Sequence, residues 1–249
     1  MEVVILPLMR RFAIGDIHGG LKALQQVLDR AKVTPQDQLI FLGDYVDGWS
    51  DSANVITFLM DLAQTHNCIF IRGNHDDLVH HWLKTDEQNE NWLQHGGQSS
   101  KDSYAKLNKA EIEAHKNFFS SLENYYIDQN NNLFVHAGFA NMHGPQNEYE
   151  PYMVYWDRTL WEMALALDKS LNPDDLFYPK RLKLFHEIFI GHTPVTRINK
   201  TQPVNAANIW NVDTGAAFKG PLTMLNVETK EIIQSDPVHQ LYPNESGRN

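Results

Sequence analysis

Five short apolar runs in this 249-residue chain each end in residues that can bind a metal ion or move a proton. Phe12-Ala13-Ile14 leads to Asp16 and His18, Leu39-Ile40-Phe41-Leu42 to Asp44 and Asp47, and Cys68-Ile69-Phe70-Ile71 to Asn74 and His75. Leu133-Phe134-Val135 ends at His136, and Glu187-Ile188-Phe189-Ile190 at Gly191-His192. Any one of these could be an ordinary turn residue, because Gly-Asp and Gly-Asn pairs favour turns. Five at the same end of successive strands would instead converge where α/β folds bind ligands. A mixed Asp, His and Asn set without a thiolate suits divalent manganese, iron or zinc. Asp44 could bridge two ions through its two oxygens, whereas Asn74 offers only a neutral carbonyl oxygen. Two ions ~3.5–4 Å apart would hold a hydroxide between them and clamp phosphoryl oxygens for in-line attack.

Such residues need rigid elements behind them. Leu21, Leu24, Leu28 and Ala31 recur at helical spacing, and Val55, Phe58, Leu59 and Leu62 repeat the pattern at i, i+3, i+4 and i+7. The resulting βαβαβ opening implies a sheet with right-handed helical crossovers. Residues 76–125 are mostly polar and helix-forming, with Leu78, Trp82, Trp92 and Leu93 as anchors, and a further helix is expected over residues 160–167. Residues 208–212 and 222–227 are expected to pair as antiparallel strands across a Gly-containing loop. From Ser235 the tail is polar and expected to fray. No repeat, low-complexity tract or linker interrupts the chain, so a single domain over residues 1–249, with its core at about 11–230, is the expectation.

The net charge of −10, from 31 acids against 21 bases, argues against a nucleic-acid partner, which would need a basic face. It does not exclude an anionic substrate, since bound divalent ions reverse the local potential. The single cysteine, Cys68, permits no intramolecular disulfide and is expected to be a buried, inert thiol, as in a reducing compartment. The apolar run at residues 3–8 follows an acid and precedes two arginines, the reverse of a secretory signal. No apolar stretch approaches the ~20 residues of a membrane span. A cytoplasmic protein without a membrane partner is expected. His80 and His81 are expected to be solvated on a helix, and His95, beside Gly96-Gly97, to be a turn or lid residue.

Gly15-Asp16-Ile17-His18-Gly19, Gly43-Asp44-Tyr45-Val46-Asp47-Gly48 and Arg72-Gly73-Asn74-His75-Asp76 resemble the signature blocks of calcineurin-like metallophosphoesterases, in their phosphoprotein phosphatase (PPP) branch. His136-Ala137-Gly138 and Gly191-His192-Thr193 resemble the two later histidine blocks. The pattern is most similar to bacterial serine/threonine protein phosphatases, including Trp92-Leu93-Gln94-His95-Gly96-Gly97, Tyr155-Trp156-Asp157-Arg158 and Asn211-Val212-Asp213-Thr214-Gly215. The resemblance implies an α/β sandwich of two mixed β-sheets flanked by α-helices, and two divalent metal ions, manganese foremost. It implies a first metal on Asp16, His18 and Asp44, and a second on Asp44, Asn74, His136 and His192. It makes His75 the general acid with Asp47 orienting its ring, and Arg72 and Arg158 the phosphate ligands. Asp213 would fix a loop near the site.

One block departs from the family. Where the resemblance calls for Asp-Arg-Gly, the chain reads Asp47-Gly48-Trp49, so a third phosphate-clamping arginine is missing. Hydrolysis of phosphoserine or phosphothreonine in proteins is the expected activity. The alternatives are a symmetrical dinucleoside tetraphosphate hydrolase, whose relatives carry alanine where Asp47 stands, and a metal-free scaffold of the same fold, which would be expected to have lost ligands.

Overall fold

The protein's structure, a computed structural model, describes residues 9–87 and 89–248, so the apolar run at residues 3–8 lies outside the described residues. Its first strands are apolar on both faces, the composition of central parallel strands covered on both sides. β1 (Arg11–Ile14) and β2 (Gln38–Phe41) are buried throughout, and β3 (Asn67–Phe70) lies beside them. α1 (Leu21–Arg30) and α2 (Ser52–Leu62) make the crossovers. α1 buries Ala23, Leu24, Val27 and Leu28, the stripe of an amphipathic helix. α3 (Asn74–Thr85), the single turn α4 (Glu90–Trp92), α5 (Gln98–Tyr104) and α6 (Lys109–Ser120) follow. Asn108 caps α6, accepting from the amides of Ala110 and Glu111 while Glu111 accepts from its own amide.

The second half supplies β4 (Tyr125–Ile127), β5 (Leu133–Val135), α7 (Thr159–Leu165), β6 (Ile188–Ile190), β7 (Val204–Ala206) and β8 (Ile209–Asn211). β9 (Pro221–Asn226), β10 (Ile232–Pro237) and α8 (Val238–Leu241) then return to the first half. One sheet runs β10-β9-β1-β2-β3, parallel from β1 to β3 and antiparallel where β9 and β10 join. The other runs β4-β5-β6-β8-β7, parallel in the middle and antiparallel at both edges. This is the expected sandwich of two mixed sheets with helices outside.

Alternation along each strand builds the layers. Ala13, Ile40 and Leu42 face Phe134, Phe189 and Val212 between the sheets, with the Phe134 and Phe189 rings stacked at 4.8 Å. Phe12, Ile14, Leu39 and Phe41 point the other way, into the helices of the first half. Leu133 and Val135 pack with Leu160 and Trp161 of α7. Truncating Phe134 or Phe189 to alanine should cost about 3–5 kcal/mol.

Four expectations are corrected. Residues 208–212 and 222–227 do not pair, because β8 joins the second sheet and β9 the first. The tail is not frayed: Ser235, Val238 and Tyr242 are buried, and Tyr242 stacks on Trp49. His80 is buried against Phe119 rather than solvated, while His81 stays exposed. Cys68 is only partly buried, although burial still pushes its thiol up to about 12, which keeps it protonated and unreactive.

Candidate active site

Each site residue sits just beyond a strand. Asp16 and His18 follow β1, and Asp44 and Asp47 follow β2. Asn74 and His75 open α3 after β3, while His136 and His192 follow β5 and β6. The structure brings all eight together, none more than 8% exposed. His18, Asp44, Asp47 and His192 hold left-handed backbone at φ 51° to 67°, a conformation few non-glycine residues adopt and one that clusters at functional sites.

Asp44 is the centre. Its Oδ2 lies 3.4 Å from Nε2 of His18 and 3.4 Å from Nε2 of His136, and its Oδ1 accepts the His75 amide at 2.9 Å. His18, Asp44 and His75 offer potential ligand atoms within 4.8 Å of one another, and so do Asp44, His136 and His192. Asp16 Oδ2 is 3.8 Å from His18 Nε2, and Asn74 Oδ1 lies 3.2 Å from His136 Nε2 and 2.9 Å from His192 Nδ1. The outer ring nitrogens are committed: Nδ1 of His18 donates to the carbonyls of Val46 and Asp47, and Nδ1 of His136 to that of Leu42 at 2.7 Å. Those bonds orient each ring so that Nε2 points inward. Gly191 has no substitute here, since a Cβ would stand 2.1 Å from Asp16 Oδ1.

The fields are strong. Burial and the neighbouring Asp213 raise the Asp16 carboxyl well above its ordinary value. Burial opposes charge on Asp44 too, but His136 and His75 outweigh it and hold its pKa well below the usual carboxylate value. Burial likewise works against the His136 imidazolium, yet Asp44 and Asp16 prevail and raise it to about 10. Burial lowers His18 and His192 well below the ordinary imidazole value. Among the described residues, neither Asp16 nor Asp44 has a lysine or arginine partner, and Nε2 of His192 is buried without a hydrogen bond. Buried carboxylates clustered with imidazoles, without a lysine or arginine salt bridge to Asp16 or Asp44, fit divalent metal ions.

His75 stands apart from the other imidazoles. Its Nδ1 is 2.6 Å from Asp47 Oδ2, and Asp47 also accepts from Trp92 Nε1 at 2.7 Å and Ser100 Oγ at 2.6 Å. Three donors fix that carboxylate, and it in turn fixes the ring. Trp92 and Ser100 went unrecognised in this role in the sequence. So did Asp76, whose carboxylate accepts from the amides of Asp44, Tyr45 and Gly73 and splints two of the loops together. Its position at the third residue of a helix was the available signal. Burial, then Asp44, lifts Asp76 to about 7.

The arginines divide. Arg72 donates to the Phe119 carbonyl at 2.9 Å and lies 3.6 Å from Asp77, so its guanidinium is largely committed. Arg158 stands exposed at the N-cap position of α7, whose first amides donate to Asp157 instead; partial burial, then Arg197, lowers its pKa. Trp156, 40% exposed, stands edge-on to His192. Asp213 accepts the Gly215 amide at 2.9 Å, as a loop-fixing residue would, and burial raises it to about 6. His95 is exposed, at a kink where its Nδ1 meets the Asn91 carbonyl.

The family model described as calcineurin-like phosphoesterase matches residues 9–217. The chain belongs to that family. It is therefore a metallophosphoesterase, a hydrolase whose family implies divalent metal ions. The Serine/threonine-protein phosphatase 1 of Salmonella typhimurium is 24% identical to it over 225 residues, covering 87% of this chain and 91% of that protein. The asymmetrical bis(5'-nucleosyl)-tetraphosphatase of Oceanobacillus iheyensis is 25% identical over 236 residues, covering 88% and 89%. A crystal structure of a protein provisionally assigned as a diadenosine tetraphosphatase superimposes with a TM-score of 0.61 at 19% identity, covering 92% of this chain and 95% of that one. Among the described residues of this phosphoesterase, no helix is long and apolar enough to cross a membrane.

Proposed function

We propose that this phosphoesterase hydrolyses phosphomonoesters, with phosphoserine and phosphothreonine in proteins as its substrate class. One observation carries the choice: the buried His75–Asp47 pair, at 2.6 Å, beside Asp44. A serine or threonine alkoxide is a poor leaving group and needs a proton as the P–O bond breaks. The nucleotide phosphate released from a dinucleoside polyphosphate needs none at neutral pH. An imidazole oriented by a carboxylate that Trp92 and Ser100 also anchor is built for the first case.

Asp16, His18 and Asp44 would hold one divalent ion, manganese foremost, and Asp44, Asn74, His136 and His192 a second. When bound, the ions supply charge for the phosphoryl oxygens and acidify the attacking water. Asp44 joins the two groups. His75 delivers its Nε2 proton to the leaving oxygen, and Asp47 stabilises the imidazolium until then. Arg158 binds phosphoryl oxygens through its guanidinium fork, with Arg72 secondary because Asp77 and the Phe119 carbonyl already engage it.

A dinucleoside polyphosphate hydrolase is the second reading, favoured by the tetraphosphatase of matching identity and length and by the exposed Trp156, a platform for a base. The manganese-loaded protein should be assayed against phosphopeptides, aryl phosphates and dinucleoside tetraphosphates, both symmetrical and asymmetrical cleavage being scored. Phosphopeptides should lead in kcat/KM. Dinucleoside tetraphosphates ahead of every monoester would replace the proposal with the second reading.

A further inference from the structure

The missing arginine leaves a gap, and the other end of the chain fills it. Gly48 is held at φ +118°, and a Cβ there would lie 3.1 Å from the His18 carbonyl and 3.3 Å from Cγ of Arg248. Cγ of Arg248 is also 3.1 Å from the point where a Cβ on Gly96 would stand, so its aliphatic stem threads between the two glycines. A side chain at position 48 is thus barred by backbone conformation and by prior occupancy.

The segment carrying Arg248 is strapped down at several points. Tyr242 stacks on Trp49 at 5.4 Å and donates to Asp51 at 2.7 Å. Glu245 accepts from the Ser50 amide at 2.9 Å and the Ser50 hydroxyl at 2.7 Å. The Arg248 amide donates to the Ala217 carbonyl at 2.9 Å. Residues 49–51 directly follow Gly48, so the strap is fastened to the loop that carries the departure.

The head group reaches the site. Nη1 of Arg248 is 3.4 Å from Nε2 of His18, and its guanidinium carbon lies 5.5 Å from the centre of the Phe218 ring. Its Nε is buried without a hydrogen bond, and among the described residues no carboxylate pairs with it. A guanidinium aimed into an acid-rich site with a donor unspent asks for an oxyanion ligand.

We propose that Arg248 binds the phosphoryl group of the substrate, supplying from the C-terminal segment the clamp that Gly48 lacks. The inference rests on the phosphoester reading above. It adds a substrate-binding residue and makes the strap at Trp49, Ser50 and Asp51 a positioning device for it.

The test compares Arg248→Ala and Arg248→Lys with the unaltered protein, all manganese-loaded. Inorganic phosphate binding is read by calorimetry, hydrolysis by kcat/KM on an aryl phosphate and a phosphopeptide, and metal content by elemental analysis. Arg248→Ala should weaken phosphate binding and lower kcat/KM by about 10–100-fold, the range for losing a hydrogen bond to a charged group. Metal content should stay unchanged, and Arg248→Lys, which keeps the charge but not the fork, should recover part of the loss. Phosphate binding unchanged or tightened in Arg248→Ala would overturn the proposal and make the guanidinium a plug. Loss of metal in Arg248→Ala would overturn it too, reassigning the residue to support of His18. If the unaltered protein hydrolyses no phosphoester, the phosphoester reading fails by itself, and the calorimetry still decides whether Arg248 holds phosphate.

Discussion

The two ends of the central strands treat buried charge in opposite ways. At the amino end of β1, a cavity of about 490 Å³ is lined by Arg11, Glu187, Glu228 and Lys230 with their polar neighbours. Every charge there is matched: Arg11 pairs with Asp128 and with Glu228, and Lys230 lies 2.5 Å from Glu187. Asp128 also accepts from the amides of Asn130 and Asn132. At the carboxyl end, Asp16, Asp44, Asp76 and Asp213 are buried beside imidazoles, with left-handed backbone at His18, Asp44, Asp47 and His192. The matched end reads as architecture. The unmatched end crowds more buried carboxylates together than the Arg248 guanidinium can offset, an excess that bound cations would relieve.

The largest effect should come from the residue both metal groups share. Asp44→Asn should remove most bound metal and lower kcat/KM on an aryl phosphate by more than about 10³-fold, as loss of a bridging ligand to both ions implies. Chelation of the unaltered protein should do the same, with recovery on adding manganese. Both are read by elemental analysis and initial rates. Asp44→Asn protein that keeps both ions and its activity would end the shared-ligand reading.

His75→Asn comes next. It should leave metal content intact and reduce kcat by about 10²–10⁴-fold on a phosphopeptide, but less on an activated aryl phosphate that needs little protonation. Asp47→Asn should give a weaker copy of that leaving-group pattern. Equal loss on both substrates would move His75 into the group of ligands with which Asp44 already places it by distance.

At the matched end, Arg11→Ala should leave Asp128 buried and unpaired, destabilising the fold by about 3 kcal/mol in urea denaturation. Its kcat/KM below the unfolding transition should be unchanged, and a change there would break the contrast between the ends. Burial works against the Asp128 charge, but the Asn132 amide and the Arg11 pair prevail and depress its pKa. A depressed carboxylate stabilises fully above its unfolded value near ~3.9, and the contribution is lost as pH falls through the lower folded value.

The contrast also sorts what the sequence made legible. Apolar runs followed by Gly-Asp or Gly-His announced the carboxyl ends of β1, β2 and β6, and one running straight into His136 announced that of β5, because strand burial and loop chemistry both leave local marks. The edge strands β7 and β10 escaped: β7 is three residues long around the exposed Asn205, and β10 sets two isoleucines before the polar run Gln234-Ser235-Asp236. Asp76, Trp92 and Ser100 escaped because their roles lie in which amide or carboxylate they meet. Arg248 lies 200 residues beyond Gly48, and nothing local links the absence of one arginine to the arrival of another.

The smallest effect uses a histidine from the helical layer as a control for those of the site. Asp44 raises His136 to about 10, whereas burial lowers His115 to about 4 against the slight opposition of Glu111. His115 is 3% exposed, with Thr57 Oγ1 and the Tyr104 hydroxyl each 3.1 Å from its ring nitrogens. Its folded pKa lies below the unfolded value of about 6.5. The unfolded chain therefore takes up the proton first, and the stability that neutral His115 gives above pH ~6.5 is lost as pH falls toward ~4. His115→Gln keeps polar contacts and abolishes the titration. The stability difference between the unaltered protein and His115→Gln should shift by about 1–2 kcal/mol in favour of the variant between pH 7 and pH 5. Urea denaturation at both pH values measures it, and titration of the site and of His80 cancels in the difference. A difference that does not move with pH would mean His115 is protonated in the fold, and its contrast with His136 would fail.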